Sequence, residues 1–233
     1  MLPVHSPALK QTCFLTVFPI TFSHTKVQYI YIYNVIKNIK IIYIYIYIMT
    51  KPRKLSSNYE CPIDNLVYII VENIEIFFYK NNFTPNQITT LALITGILSP
   101  VMLYHNHNFV SIFLFFISYV LDCLDGYYAR KYDMVTKFGD YYDHLSDILK
   151  NILILLVIFI KNKELFNKYI YLLVIIIITM LFQFGNQECL YNTDETPSLK
   201  ILKKICNTKY MKITRYFGSG TYYLFILFLI YNT

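Results

Sequence analysis

Long apolar runs separated by short polar stretches form the pattern of this chain from residue 84 onward. Each run is close to the roughly 20 residues that a helix needs to cross the hydrocarbon core of a bilayer. Such a segment must satisfy its backbone hydrogen bonds internally, so these runs predict helices rather than open strands. The pattern predicts an all-α integral membrane protein with five spanning helices, near residues 86–104, 109–128, 139–160, 168–185 and 216–231.

The first 48 residues follow a different pattern, in which two residue types alternate. Tyr and Ile alternate strictly in residues 29–33 and again in residues 42–48. A TA repeat in DNA encodes this alternation, so we expect residues 1–48 to be a low-complexity, non-essential leader upstream of a start at Met49. A signal anchor is the alternative interpretation, although lysines interrupt the apolar stretch.

Between the leader and the first spanning segment, apolar and acidic residues are mixed. Ile, Val and Phe residues from Asp64 to Phe78 are interspersed with Glu72 and Glu75. This composition is typical of a helix at the membrane surface, where one face contacts lipid and the other faces water. We therefore expect an N-terminal interfacial amphipathic helix within residues 49–83.

The composition supports a membrane protein and argues against an ordinary soluble domain. Of the 233 residues, 56% are hydrophobic and only 15% are charged. Lys and Arg number 21 against 14 Asp and Glu, but they lie in short stretches between the apolar runs. That distribution favours the positive-inside rule over a nucleic-acid partner, and it places segment 186–215 and connection 129–138 in the cytoplasm.

The five cysteines are odd in number and scattered along the chain. They form no CxxC pair, and no histidine lies near them at zinc-ligand spacing. This distribution predicts neither a disulfide framework nor a structural zinc site. The cysteines are Cys13, Cys61, Cys123, Cys189 and Cys206.

Four aspartates lie inside the second and third predicted spanning helices, where charges are costly and therefore indicate function. Asp122 and Asp125 are three residues apart, and Asp143 and Asp147 are four apart, so each pair shares one helix face. The short connection makes the helices antiparallel neighbours, so all four carboxylates can converge. Clustered carboxylates require cations, and ligands that are all oxygen favour Mg²⁺ or Mn²⁺ over zinc.

Small residues accompany these acids and clear space beside them. Gly126 follows Asp125, Ala129 lies one turn later, and Gly139 lies one turn before Asp143. A nucleotide diphosphate can then approach the helix backbone, with Arg130 as a fixed cation for phosphate. The alternative is that these residues only allow the helices to pack closely.

Together these residues match a known pattern, D-x2-D-G-x2-A-R-x8-G-x3-D-x3-D, at all eight fixed positions from Asp122 to Asp147. The chain thereby resembles the CDP-alcohol phosphotransferase family. The resemblance extends upstream to Pro85-Asn86-Gln87-Ile88-Thr89, which is similar to the P-N-x-I-T sequence that opens the first spanning helix of that family. It covers about residues 60–160, and we assign residues 84–233 to the membrane domain of the family.

The resemblance implies a membrane domain usually of six spanning helices, usually a homodimer, with an active site open to the cytosol. The sixth helix would come from a polar stretch such as 198–212, or it is missing. The first three aspartates of the motif would bind the metal. Asp147 would be the general base, and a second candidate role for it is that of a metal ligand.

Residues near the motif are further candidates for this site. Asn86 and Thr89 would reach the nucleotide, although capping of the helix by Thr84 or Asn86 is the competing explanation. His144 would orient a ligand carboxylate or contact substrate, unless it points away.

The signature indicates a CDP-alcohol donor but not the acceptor, which is either a lipid or a small alcohol. The run from Tyr142 to Asp147 is similar to the F-D-H-x-x-D of choline and ethanolamine phosphotransferases, so we favour CDP-choline or CDP-ethanolamine with diacylglycerol. The alternative is a CDP-diacylglycerol-dependent enzyme acting on inositol, serine or glycerol phosphate. Residues 135–139 are more similar to the sequence of these enzymes than to that of the choline and ethanolamine phosphotransferases. An anionic acceptor would need nearby cations, for which the candidates are Lys131, Lys137, Lys212 and Arg215.

Two other classes of protein place acids in membrane helices. Membrane prenyltransferases hold a diphosphate through Mg²⁺ and two aspartate-rich motifs, but they do not require the pattern of Gly126, Ala129, Arg130 and Gly139. A cation transporter is the alternative without catalysis, and cation flux without consumption of a CDP-alcohol would identify it.

Overall fold

The computed structural model describes Lys37 and residues 53–191 and 197–233, so all of the expected leader except Lys37 lies outside the described residues. The described residues from 53 onward belong to one compact unit. Six α-helices of more than one turn build this unit among the described residues: α1 Pro62–Lys80, α2 Pro85–Tyr104, α3 Asn108–Lys131, α4 Lys137–Lys161, α5 Lys163–Tyr191 and α6 Ser219–Tyr231.

The helices begin where local chemistry favours a start. Thr84 caps α2 through a reciprocal pair of hydrogen bonds, in which its Oγ1 accepts from the Gln87 backbone and its own N–H donates to the Gln87 side chain. Pro85 occupies the first position of α2. Thr136 caps α4 by accepting from the Gly139 N–H at 3.0 Å. The capping explanation therefore holds for Thr84.

The all-helical fold class is confirmed, whereas the count of five to six spanning helices is not. Among the described residues, four segments are long and apolar enough to cross a membrane: Pro85–Tyr104, Asn108–Lys131, Lys163–Leu190 and Thr208–Tyr231. Helix α4 has 25 residues but carries Asp143, Asp147 and Lys150 within its length, so its composition does not mark it as a span. The predicted interfacial helix is present as α1, and its position at a membrane surface stays a prediction.

Helices α1, α3 and α6 pack around a buried carboxylate, Asp64. The Tyr119 hydroxyl of α3 donates to its Oδ1, and the Ser219 hydroxyl of α6 donates to its Oδ2 at 2.8 Å. Gly220 makes this packing possible, because a Cβ at that position would lie 2.5 Å from Asp64 Oδ1 and 2.6 Å from Ile63 Cβ. The N-terminal helix and the last helix are thus joined by polar contacts.

Residues 197–217 form a series of short helical turns, of which those from Thr208 onward belong with α6 to the candidate span Thr208–Tyr231. They comprise 3₁₀ turns at Lys200–Ile205, Thr208–Tyr210 and Arg215–Phe217 and a single α-helical turn at Met211–Thr214. The first of these packs on α5, where Gly185 allows close approach, since a Cβ there would lie 2.6 Å from the Leu202 carbonyl oxygen.

A disulfide joins Cys189 at the end of α5 to Cys206 after the first 3₁₀ turn. The expectation that the cysteines form no disulfide was wrong for this pair. Spacing along the chain did not reveal it, because the turn folds back onto α5 and closes a separation of 17 residues. Cys61 and Cys123 are free thiols.

Candidate active site

Three of the four predicted acids meet between α3 and α4, which both pack on α2. One carboxylate oxygen each from Asp122, Asp143 and Asp147 lies within 4.8 Å of the other two. Asp122 comes from α3, and the other two lie one turn apart on α4. The helix spacing read from the sequence therefore brings together at least this trio.

Asp125 lies deeper and contacts a different helix. Its side chain is buried, and its Oδ2 accepts a hydrogen bond of 2.5 Å from the Thr89 hydroxyl of α2. The Thr89 Oγ1 also lies 3.2 Å from the Pro85 carbonyl oxygen of its own helix. The contact fixes Asp125 against α2, and the expected role of Asp125 as a metal ligand stays a prediction.

Lys150 enters the acid cluster, and the sequence analysis did not single it out. Its side chain is fully buried, and its Nζ donates to Asp122 Oδ1 at 2.7 Å and lies 2.6 Å from Asp147 Oδ1. It follows Asp147 by three residues, so both side chains emerge from the same face of α4. The protein thus supplies one positive charge to two of its own candidate ligands.

A glycine on the neighbouring helix makes room for that lysine. A Cβ at Gly96 of α2 would lie 2.9 Å from Lys150 Cδ and 2.8 Å from Ser118 Oγ. The signal in the sequence is a lysine inside an apolar helix, which by itself marks a functional candidate in a membrane protein.

The glycines of the motif make two kinds of close contact. A Cβ at Gly126 would lie 3.1 Å from a guanidinium nitrogen of Arg130, so Arg130 lies against the backbone of α3 at this point. A Cβ at Gly139 would lie 3.0 Å from Asn86 Oδ1, so Gly139 brings the start of α4 against the start of α2. Of the two roles considered for these glycines, close packing is observed here, and room for a nucleotide stays a prediction. Ala129 lines the same cavity as Gly126 and Arg130.

His144 is held by neighbours other than the acids of the motif. Its Nδ1 lies 2.7 Å from the Asp140 carbonyl oxygen and 3.3 Å from Ser198 Oγ. The Ser198 N–H donates to Asp140 Oδ2 at 2.9 Å. His144 thus takes part in joining α4 to the turns after α5, while its expected action on Asp143 stays a prediction.

A cavity of about 830 Å³ contains the acids and is lined by several helices. Its first side, here called the motif wall, consists of the lining residues of α2, α3 and α4, including Asn86, Thr89 and the four aspartates. The second side, here called the α1/α6 wall, consists of Glu60, Asp64, Ser219, Tyr222 and Tyr223.

Apolar side chains line the part of the cavity between α4 and α5. They include Ile148 and Ile152 of α4 and Ile177 and Met180 of α5. Ile148 and Ile152 are each 56% exposed, so apolar surface here is available both to the cavity and to the surrounding lipid. A substrate with acyl chains fits such a side.

Glu60 on the α1/α6 wall is nearly enclosed. Its residue is 4% exposed, and its Oε2 has no hydrogen-bond partner among the described residues. Burial raises the pKa of the Glu60 carboxyl to about 7, the nearby Asp64 adds to the rise, and Arg130, Arg53 and Lys54 oppose it. Near neutral pH this carboxyl can therefore both donate and accept hydrogen bonds.

The trio of carboxylates fits a divalent cation by its chemistry and spacing. All donors are carboxylate oxygens, the ligand type that Mg²⁺ prefers. Their mutual distances of up to 4.8 Å are close to the separation of about 4.2 Å between opposite ligands of one Mg²⁺. Asp143 Oδ1 is also buried and receives no hydrogen bond within the described part of the chain. Asp122, Asp143 and Asp147 are thus suitable ligands.

The cavity is lined by the acid trio and by an arginine that lies against a glycine, residues that can hold a phosphate-bearing substrate through a cation. The sequence model of the CDP-alcohol phosphatidyltransferase family matches residues 82–230. The chain therefore belongs to the CDP-alcohol phosphatidyltransferase family, and it is an integral membrane protein of a family of transferases.

A curated relative is similar to one part of the chain. The CDP-diacylglycerol–inositol 3-phosphatidyltransferase of Candida albicans (strain SC5314) is 38% identical over 73 residues, which are 31% of this chain and 30% of the relative. The match thus spans under a third of the relative. No solved structure matches the chain.

Proposed function

We propose that this protein transfers a phosphatidyl group from CDP-diacylglycerol to a small polar alcohol and releases CMP. The observation that carries the proposal is the cavity itself, which places the acid trio between an apolar side at α4 and α5 and a polar α1/α6 wall. The apolar side suits the acyl chains of the donor, and the polar wall suits a water-soluble acceptor. The curated relative is named for this donor.

The comparison favours this donor over CDP-choline or CDP-ethanolamine, the donors favoured by the sequence analysis. That preference relied on the run from Tyr142 to Asp147, which lies on α4 beside the metal ligands. The two acids of this run, Asp143 and Asp147, are fixed positions of the family signature, so they do not distinguish one acceptor from another. Diacylglycerol as acceptor would also leave the polar α1/α6 wall facing an apolar molecule.

The reaction requires proton removal, attack on phosphorus and stabilisation of the leaving group. Asp147 takes the proton of the acceptor hydroxyl. The hydroxyl oxygen then bonds to the phosphorus that carries diacylglycerol, and the bond from that phosphorus to the CMP oxygen breaks. CMP leaves with the electron pair, and Asp147 passes its proton to solvent.

Other residues of the motif wall hold the reactants. A divalent cation bound by Asp122, Asp143 and Asp147 would offset the negative charge of the diphosphate. Arg130, placed against Gly126, would contact a phosphate oxygen of the donor. Lys150 holds the carboxylates of Asp122 and Asp147 in fixed positions. Mg²⁺ and Mn²⁺ are both candidates for the cation.

The test is CMP release by the purified full chain in mixed micelles with Mg²⁺. CDP-diacylglycerol plus inositol, serine or glycerol 3-phosphate is compared with CDP-choline or CDP-ethanolamine plus diacylglycerol. We expect CMP release only in the first set and none in EDTA. Release only in the second set, or release that EDTA leaves unchanged, would contradict the proposal.

We also propose that the active site faces the cytoplasm and that the protein is a homodimer. Basic residues in the turns after α5 support the orientation, under which the Cys189–Cys206 pair would be reduced in the cell. The exposed apolar faces of α4 and α5 offer surface for a second copy. A cysteine replacing Lys212 should react with an impermeant maleimide only from the cytoplasmic side of sealed vesicles. Mass measurement in lipid nanodiscs should give two chains.

A further inference from the structure

A lysine ammonium lies within the cluster of candidate metal ligands. Lys150 Nζ donates to Asp122 Oδ1 at 2.7 Å and lies 2.6 Å from Asp147 Oδ1, so it bridges α3 and α4. The Lys150 side chain has no exposed surface. A buried charge is retained in a protein when it is paired, and here both partners are acids of the motif wall.

Neighbouring helices fix the position of this ammonium. On α2, Gly96 leaves space for the stem of the lysine, since a Cβ there would lie 2.9 Å from Lys150 Cδ. On α6, the Tyr223 hydroxyl interacts with the same ammonium, whose Nζ lies 6.0 Å from the centre of the Tyr223 ring. A displaced ammonium would be a buried charge without a counter-ion, so withdrawal of Lys150 from the acids is strongly unfavourable.

Lys150 contacts only part of the acid trio and leaves the rest for a metal ion. It contacts Oδ1 of Asp122 and Oδ1 of Asp147. Asp143 Oδ1 is buried and receives no hydrogen bond from any of the described residues. The Asp143 carboxylate and the second oxygens of the other two acids are thus available to one divalent cation, which prefers such oxygen donors.

The spacing does not suit a second ion in the same cluster. Sites that hold two metal ions for phosphoryl transfer place them about 3.5–4 Å apart. Two ions at that separation would share ligands such as Asp122 and Asp147, whose carboxylate oxygens lie within 4.8 Å of each other. The Lys150 ammonium lies between these two acids, and it would repel a second divalent ion at contact distance.

We propose that Lys150 permanently takes the place of a second metal ion, so that the acid trio binds a single divalent cation. The inference rests on the proposed function, which requires a cation beside the diphosphate. One divalent ion and one ammonium neutralise the three carboxylates of the trio, whereas a second divalent ion would leave an excess of positive charge. Lys150 is a positioning residue, because it contacts the ligands of the cation rather than the substrate.

The first experiment counts the Mn²⁺ ions that bind to the purified full chain in detergent micelles, after metal removal and without any CDP-alcohol. Electron paramagnetic resonance measures free Mn²⁺ during the titration, because the signal of a bound ion is broadened. Binding that persists in Asp143→Ala is subtracted as unrelated to the trio. We expect one bound ion per chain, with the spectrum of an isolated Mn²⁺.

The outcomes separate this inference from the proposed function. Two bound ions, or the spectrum of a magnetically coupled pair, would overturn the inference and leave the proposed function intact. No bound ion would overturn the inference together with the cation site. One bound ion without CMP release from any CDP-alcohol would overturn the proposed function and leave the count of ions as inferred.

The second experiment repeats the count with Lys150→Ala, which removes the ammonium and leaves its space open. This variant should bind two Mn²⁺ ions per chain, and the matched control Lys163→Ala, at an exposed lysine, should bind one. Lys150→Gln, which keeps most of the side chain but removes the charge, gives the same comparison if Lys150→Ala does not fold. A single bound ion in the folded Lys150 variant would overturn the inference.

Discussion

The motif wall and the α1/α6 wall bound the same cavity but are built in different ways. The acids of the motif wall lie on two consecutive helices, so helix period and one short connection bring them together. The α1/α6 wall joins Asp64 to Ser219, 155 residues apart in the chain, through a hydrogen bond at the start of α6. Local geometry fixes the first wall, whereas tertiary packing fixes the second.

This difference has a functional counterpart in the proposed reaction. The motif wall would bind the parts common to every family member, which are the cation, the diphosphate and the nucleotide. The α1/α6 wall would bind the acceptor, which differs from one member to another. Changes on the motif wall should therefore abolish turnover, and changes on the α1/α6 wall should alter the choice of acceptor.

The largest expected effect comes from removing an acid of the trio. Asp122→Ala or Asp143→Ala should lower CMP release by about 1,000-fold or more, because bound metal contributes several kcal/mol of transition-state stabilisation. Isothermal titration with Mn²⁺ should show weakened binding in each variant. Near-normal rates would mean that the motif wall does not hold the metal.

A smaller loss is expected from Asp147→Asn, which removes the base but keeps the shape of the side chain. Turnover should fall roughly 100-fold or more, the usual contribution of general base catalysis, with little change in the KM for CDP-diacylglycerol. Titration with Mn²⁺ separates the two roles considered for Asp147. A loss of metal binding as large as that of Asp122→Ala would make Asp147 chiefly a ligand.

Lys150→Met should alter stability more than chemistry, because Lys150 is the internal counter-charge of the motif wall. Removing one partner of a buried ion pair typically costs about 3 kcal/mol, so the metal-free variant should unfold at lower temperature. Added Mg²⁺ should restore more of the melting temperature in the variant than in the parent. Lys163→Met, an exposed lysine at the start of α5, is the matched control.

Equal melting temperatures for Lys150→Met and the parent in EDTA would contradict this role. Lys150 would then contribute nothing measurable to the stability of the cluster, and packing alone would hold the acids in place.

The smallest effect is expected from deleting the leader. A chain that begins at Met49 should insert in membranes and release CMP at the parent rate, because both walls lie downstream of residue 49. Carbonate extraction of membranes and the CMP assay check the two parts. Failure of the shortened chain to insert would show that residues 1–48 include a needed anchor.

The motif wall could be predicted from sequence because its information is local. Helix spacing predicted the convergence of Asp122, Asp143 and Asp147, and the capping signal of Thr84 marked the start of α2. The family assignment from the motif is confirmed by the match over residues 82–230.

The α1/α6 wall could not be predicted, because nothing in the spacing of Glu60 or Tyr223 relates either residue to Asp147. Both residues line the same cavity because α6 packs closely on α1, which Gly220 allows by having no side chain. Lys150 did carry a local signal, as a lysine inside an apolar helix three residues after Asp147, and the structure adds that Gly96 leaves room for its side chain. The disulfide between Cys189 and Cys206 likewise forms because the first 3₁₀ turn packs back on α5, and the local sequence does not predict this packing.

The hydrogen bond between Ser219 and Asp64 also constrains how the protein is made. Ribosomes add about 5–20 residues per second, so the 155 residues between these partners take roughly 8–30 s to synthesise. During that interval α1 has emerged, but the helix that completes its side of the cavity does not yet exist. A nascent chain can therefore bring the acids of the motif wall together before the α1/α6 wall exists, so the complete cavity forms only after α6 has been synthesised.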